Sequence, residues 1–149
     1  MSTFPTPLPV VLCGKTTQMG RPVSKLLSPE YEVIHFIQSF EAAKAELPVL
    51  LAGRDPQVSE ANDVGTHNYS QPPRAVLVGR AFEEDQVEEL RKACSGAARA
   101  PVAWLLGDPA KLPTGPPGPE YAVEVANDCK NVLTKWKEDG GVNEDILLF

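Results

Sequence analysis

The stretch VVLCGKTTQMGRPVSKLL, Val10 to Leu27, decides how this sequence is read. LPVVLCG, Leu8 to Gly14, is a short apolar run rich in β-branched residues and ended by glycine, the pattern of a buried strand. The residues from Gly20 to Leu27 then predict a helix. Pro22 suits a first helical turn, and Val23, Leu26 and Leu27 fall on one face. The opening unit is therefore strand, glycine-bearing turn, helix. The turn raises two readings: a cradle for the phosphates of a ligand, or a tight turn that any strand and helix would need.

The same alternation continues along the chain. YEVIHFIQ, Tyr31 to Gln38, predicts a second strand. Ser39 can cap a helix carrying Phe40, Ala43 and Leu47, with Glu41 in its first turn. Pro48 interrupts that pattern, and VLLAG either continues the helix past a kink or forms a short strand. RAVLVGR predicts a third strand, and Phe82 to Ala97 a helix with acids Glu83, Glu84 and Asp85 at its start and Arg91 and Lys92 toward its end. Its inner stripe is Phe82, Val87, Leu90 and Cys94. APVAWLLGD predicts a fourth strand. A last helix over Glu120 to Glu138 carries Tyr121, Val125, Cys129, Val132, Leu133 and Trp136 at spacings of three and four. Two segments stand apart: a long polar loop over 55–74 and a Pro/Gly-rich loop over 107–119.

Apolar strands alternating with one-faced helices imply an α/β fold, a three-layer open parallel sheet of about four to five strands in the order 2-1-3-4, with right-handed crossovers. A length of 149 residues suits one domain over 1–149 with a real core. The C-terminal DILLF, with four large apolar side chains, either adds an edge strand or crosses to a second copy, giving a homodimer through the last helix and tail.

Composition excludes several function classes. A net charge of −6 disfavours nucleic acid and anionic lipid as partners. No apolar run approaches a membrane span, and MSTFPTPLP has no basic region leading into an apolar one, so no signal peptide is expected. The three cysteines, Cys13, Cys94 and Cys129, show no metal spacing and lie within apolar patterns, which fits a cytoplasmic setting. A Walker-type phosphate loop needs glycine where Pro9 stands, so the GKT of Gly14–Thr16 is accidental. A receiver domain needs carboxylates where Cys13, Gly14 and Gly79 stand.

In an open parallel sheet, ligands bind beyond the carboxyl ends of the strands, where strand order reverses. That edge collects Gly14, Lys15, Thr16, Thr17, Gln18, Met19, Gly20 and Arg21, then Gln38, Gly79 and Arg80, and finally Gly107 and Asp108. Helix amides near Gly20, with Lys15 and Arg21 beside them, make the candidate anion cradle. The polar loop over 55–74 is expected at the opposite edge, away from any ligand. The Pro/Gly-rich loop is expected to form a rim or lid.

The motif Gly14-x-x-Thr17-x-x-Gly20 resembles the Gly-x-x-Gly-x-x-Gly turn of NAD(P)-binding Rossmann proteins, especially the NmrA-like, atypical short-chain dehydrogenase group. The likeness covers about the first forty residues, and its middle glycine is Thr17 here. It implies a Rossmann-like fold and NAD(P) as a cofactor. The acid or base that normally ends the second strand is replaced by Gln38 and Ser39. The family's Tyr-x-x-x-Lys pair is missing: Tyr31, Tyr69 and Tyr121 are followed at that spacing by His35, Pro73 and Val125. Small CoA-binding Rossmann proteins are similar in length, in Arg21-Pro22 at the helix start and in VAWLLGD, which implies CoA instead.

Three functions follow as expectations. The first is a nucleotide-type ligand-binding module without complete catalytic machinery. The second is a small cofactor-dependent enzyme or enzyme subunit using Cys13, His35, Arg80 or Asp108. The third is a ligand-free dimeric scaffold. Cys13, His35, Trp104 and Trp136 each have a plainer reading as core, and Arg80 and Asp108 as partners of each other or as helix caps. His67, in the polar loop, reads as solvated.

Overall fold

The computed structural model describes residues 4–56, 62–80, 82–111, 115 and 118–149. Five parallel strands form one sheet in the order β2-β1-β3-β4-β5. They are β1 (Leu8–Cys13), β2 (Tyr31–Ile37), β3 (Ala75–Val78), β4 (Ala103–Leu106) and β5 (Ile146–Leu148). The helices are α1 (Thr17–Leu27), α2 (Phe40–Leu51), α3 (Glu84–Ala93) and α4 (Pro119–Glu138), with a single 3-10 turn at Pro109–Lys111. This is the expected three-layer, Rossmann-like α/β architecture. The C-terminal tail is its fifth strand, pairing Trp104 with Ile146 and Leu106 with Leu148.

Helices cover both faces. Val23 and Leu27 of α1 and Val125, Cys129, Leu133 and Trp136 of α4 bury one face, against Val10, Leu12, Leu77 and Leu105. Ala43, Leu47 and Leu50 of α2 and Val87 and Leu90 of α3 bury the other, against Val11, Cys13, Val76, Val78 and Trp104. Burial on both faces explains why every strand in the middle of the sheet reads as continuously apolar.

One crossover departs from the expected topology. The connections through α1, α2 and α3 share one hand, and nearly all such units are right-handed. The connection through α4 also steps outward, from β4 to β5, yet α4 packs on the α1 face. Its hand is therefore opposite to that of the other three. The long connection from Leu106 to Pro119 frees α4 from the geometry of a tight crossover. The α4 stripe then covers Leu77 and Leu105 on the face that α1 shares.

Several local boundaries also differ. Helix α1 starts at Thr17, three residues before Gly20, because the Thr16 side chain accepts from the Met19 amide at 3.3 Å and caps it. Pro22 consequently lies inside the helix rather than in its first turn. Helix α2 runs through Pro48 to Leu51. Burial of Leu47, Leu50 and Leu51 outweighs the proline, which costs about 3 kcal/mol in a helix interior. Strand β2 carries a bulge: Val10 aligns with Val33, but Val11 aligns with His35. Skipping Ile34 turns Phe36 toward the α1 face and His35 toward α2.

The polar loop does not stay at the amino edge. Arg74 returns there, donating its amide to Pro9 O at 2.8 Å, but the preceding residues run along the outer edge of β2. The His67 and Thr66 amides each donate to a β2 carbonyl, of Ile34 and Val33, at 2.9 Å. Asn62 donates its side-chain amide to Phe36 O at 3.0 Å. Gly65 takes φ +89° there, and a Cβ at that position would lie 2.9 Å from Val33 O. The loop thus caps an otherwise open edge strand. Residues 57–61 of this expected loop lie outside the described residues.

Candidate functional site

The turn after β1 is built by packing. A Cβ on Gly20 would lie 2.5 Å from the ring of Phe36, and one on Gly14 3.2 Å from the same ring. Both glycines let α1 and its turn close down on a phenylalanine that the β2 bulge has aimed at them. The Gly14 amide donates to Ile37 O at 2.9 Å and the Gly20 amide to Thr16 O at 3.0 Å. The Met19 amide is taken by Thr16. Arg21 pairs with Asp63 of the polar loop, and Lys15 Nζ lies 4.5 Å over the Phe82 ring.

The turn therefore uses on its own chain many of the groups expected to hold a phosphate. The two motif glycines that remain, Gly14 and Gly20, serve the turn and helix packing. The third, through which a backbone approaches a pyrophosphate, is Thr17. Of the expected cradle, the Gly14, Met19 and Gly20 amides and the Arg21 side chain are thus engaged within the chain, while Lys15 and Thr16 line the cavity beside the turn.

Beside the turn, between α1 and α4, a cavity of about 350 Å³ opens where strand order reverses between β1 and β3. Of the expected site residues, Gly14, Lys15, Thr16, Met19, Gly20, Gly79 and Arg80 line it. Thr17, Gln18, Arg21, Gln38, Gly107 and Asp108 do not. The walls that the sequence reading missed are Leu12, Val23, Phe36, Tyr121, Val125 and Phe149. Tyr121 and Val125 were visible only as a helix stripe, and Phe149 only as part of an apolar tail. Gly115 of the Pro/Gly-rich loop lies at the wall, whereas 112–114 and 116–117 of the expected lid lie outside the described residues.

Arg80 is the cationic group sunk in this wall. Its side chain is 1% exposed and its Nη2 donates to Asp128 at 2.8 Å. Its Cζ lies 5.4 Å from the Tyr121 ring and 5.3 Å from the Phe149 ring. Nε and Nη1 are buried with no acceptor among the described residues. Burial opposes the charge of Arg80, but the neighbouring Tyr121 and Asp128 side chains hold its pKa above the ordinary arginine value. Gly107 makes room for it: a Cβ there would lie 2.1 Å from Arg80 Cγ. The anticipated Arg80–Asp108 pair does not form. Asp108 instead accepts from the Ala110 amide at 3.0 Å, and its own amide donates to Phe149 O at 2.8 Å.

The other expected reactive groups are engaged elsewhere. Cys13 lines the cavity, yet it is fully buried in the α2–α3 core, and burial, with the Glu46 charge second, pushes its pKa up to about 12. His35 is 3% exposed on that same face, with Nε2 2.6 Å from Glu46 Oε1 and Nδ1 2.8 Å from the Tyr69 hydroxyl. Its neighbour His67 takes φ +57° and lies edge-on to it. Trp104 and Trp136 are core, and Trp136 Nε1 donates to Asn143 O at 2.7 Å. Among the described residues no His, Cys, Asp and Glu cluster could hold a metal, and no helix is long and apolar enough to cross a membrane.

Fold and cavity together define a Rossmann-like α/β protein with an arginine-bearing apolar cleft at its switch point. The chain is 38% identical over 146 residues to Kojic acid related protein 6 of Aspergillus oryzae, an alignment spanning 97% of this chain and 87% of that protein. It belongs to the family of that protein. No family model matches the chain, and no solved structure matches it.

Proposed function

We propose that this chain is a small-molecule binding module that takes a nucleotide-type or other organic anion in the cavity between α1 and α4, without catalytic machinery of its own. One observation carries the reading. A cavity of about 350 Å³, within the size range of small-molecule sites, lies at the sheet's switch point with a buried arginine in its wall. The binding role, rather than a reaction, is supported by how the candidate reactive groups are used. Cys13 lines the cavity but is fully buried in the α2–α3 core with its pKa pushed up to about 12, His35 is held by Glu46 and Tyr69, and Asp108 caps the 3-10 turn.

A thermal-shift panel of NAD, NADP, CoA, ATP, FAD and kojic acid, the last taken from the relative's name, tests the reading. A ligand present at a hundred times its Kd stabilises by about 2.7 kcal/mol. At least one compound is expected to raise Tm, and Met19→Trp, which fills the cavity mouth, is expected to abolish the rise. A shift that survives Met19→Trp unchanged places the ligand elsewhere and overturns the proposal.

A further inference from the structure

We propose that the ligand of this cavity is amphipathic and enters apolar end first. An uncharged, ring-bearing body fills the chamber, and an acidic group, carboxylate or phosphate, stays at the rim against Lys15. The inference rests on reading the cavity as the binding site. It adds the ligand's orientation and the residue that selects its charge.

The interior offers a charged group nothing to pair with. The Arg80 side chain is 1% exposed, and its Nε and Nη1 are sealed from the chamber. The rings of Tyr121 and Phe149 flank the guanidinium at 5.4 and 5.3 Å, and their electron-rich faces attract the cation. Asp128, 2.8 Å from Nη2, balances its charge. Arg80 is therefore part of the wall's framework, closed to a ligand. The chamber is otherwise lined mainly by Leu12, Met19, Val23, Phe36 and Val125. An ionised group placed among these side chains would lose its water and gain no partner, a costly exchange. An apolar body loses nothing there, and a volume of about 350 Å³, at the small end of ligand sites, keeps that body compact.

The rim is different. Lys15 is exposed and also lines the cavity, so it stands where the chamber meets solvent. Its Nζ lies 4.5 Å over the ring of Phe82, a contact that positions the side chain and leaves the ammonium donors in play. Arg21 pairs with Asp63 and Lys111 with Asp128, whereas Lys15 forms no ion pair among the described residues. The charges of Arg80 and Asp128 cancel, and Lys15 and Lys111 both face solvent. A hydrated ammonium at such a rim is a point charge that receives either a carboxylate or a phosphate without the planar match a guanidinium would impose.

The test uses the full chain and isothermal titration with 2-naphthoate, 2-naphthyl phosphate, the neutral 2-naphthamide and AMP. Each is titrated in about 0.1 M and about 1 M salt, where the Debye length is about 10 and about 3 Å. At the lower salt at least one naphthyl acid is expected to bind about three-fold more tightly than the amide, the size of an exposed ion pair, and the tighter acid identifies the group at the rim. High salt and Lys15→Met are each expected to bring acid and amide within about two-fold of each other. Lys15 is exposed, so its replacement leaves the fold intact. AMP, whose body is polar, is expected to bind about ten-fold more weakly than 2-naphthyl phosphate. An acid preference that survives high salt or Lys15→Met puts the charge inside the chamber and overturns the orientation, while the cavity reading stands. Absence of any acid preference at the lower salt, or AMP binding as tightly as 2-naphthyl phosphate, has the same consequence. Silence from every probe removes both readings.

Discussion

Replacing Gly20 by alanine tests whether this glycine is there for Phe36 or for a ligand. An ideal Cβ at position 20 would lie 2.5 Å from two atoms of the Phe36 ring, which is 2% exposed. Overpacking costs about 1–3 kcal/mol, and an approach of 2.5 Å to a buried ring falls in the upper half, about 2–3 kcal/mol. Against it, alanine is favoured over glycine inside a helix by about 1 kcal/mol. The net expectation is a protein about 1–2 kcal/mol less stable, or roughly 3–6 °C lower in Tm for a chain of this size. Urea unfolding, followed by circular dichroism, measures it through the midpoint at constant slope. The double variant Gly20→Ala/Phe36→Leu removes the ring edge that the methyl meets. The two changes should therefore be less damaging together than their sum by at least about 1 kcal/mol. If Gly20→Ala is neutral or stabilising, or if the two effects simply add, the close approach of α1 to Phe36 is not what requires glycine here.

Other perturbations have definite outcomes. Gly107→Ala should cost at least as much as Gly20→Ala, because its methyl meets the backbone nitrogen of Arg80 at 2.7 Å as well as the side chain; the same urea midpoint reads it. Glu46→Ala should destabilise by about 1–3 kcal/mol, since it leaves a ring nitrogen of the buried His35 without its carboxylate. In native protein at pH 8, iodoacetamide should leave Cys13 and Cys94 unmodified, because burial raises their pKa values to about 12 and about 11; mass spectrometry should find both alkylated only in denaturant. Arg21 holds the Asp63 carboxyl below its ordinary pKa. Its contribution to stability is therefore present above the ordinary aspartate range and lost as pH falls through the folded-state value. Asp63→Asn should flatten that acid limb slightly, and by less in high salt because both partners are exposed.

Much of the candidate site was legible in the sequence, but for reasons that packing revises. Gly14, Gly20, Gly79 and Arg80 were placed at the right edge by alternation alone, because parallel β-α units sort their loops to the two ends of the sheet. The role of Gly20 was not legible. It depends on the side chain of Phe36, and strict alternation in YEVIHFI would have aimed that ring away from α1. A one-residue bulge at Ile34 reverses the sense, and nothing in the local sequence announces it. Arg21 looked free because its partner Asp63 is distant in the chain and lies in a loop expected at the other end of the molecule. Asp128 was likewise invisible as the partner of Arg80, since both were read against residues close to them in sequence.

The order of apolar runs and one-faced helices determined by itself that this chain forms a parallel sheet covered on both sides, with its cleft at the carboxyl edge. Hydrophobic periodicity and glycine placement are local properties, and they suffice for that. Only the tertiary structure decided which face α4 covers. Its reversed crossover brings Tyr121, Val125 and Asp128 beside α1, where they wall the cavity and hold Arg80. On the other hand of crossover the same helix, with the same stripe, would lie with α2 and α3, and Arg80 would have no partner and the cleft no second wall. A helix stripe says that a face must be buried but not against what. That choice is settled by the apolar area left uncovered on each side of the finished sheet.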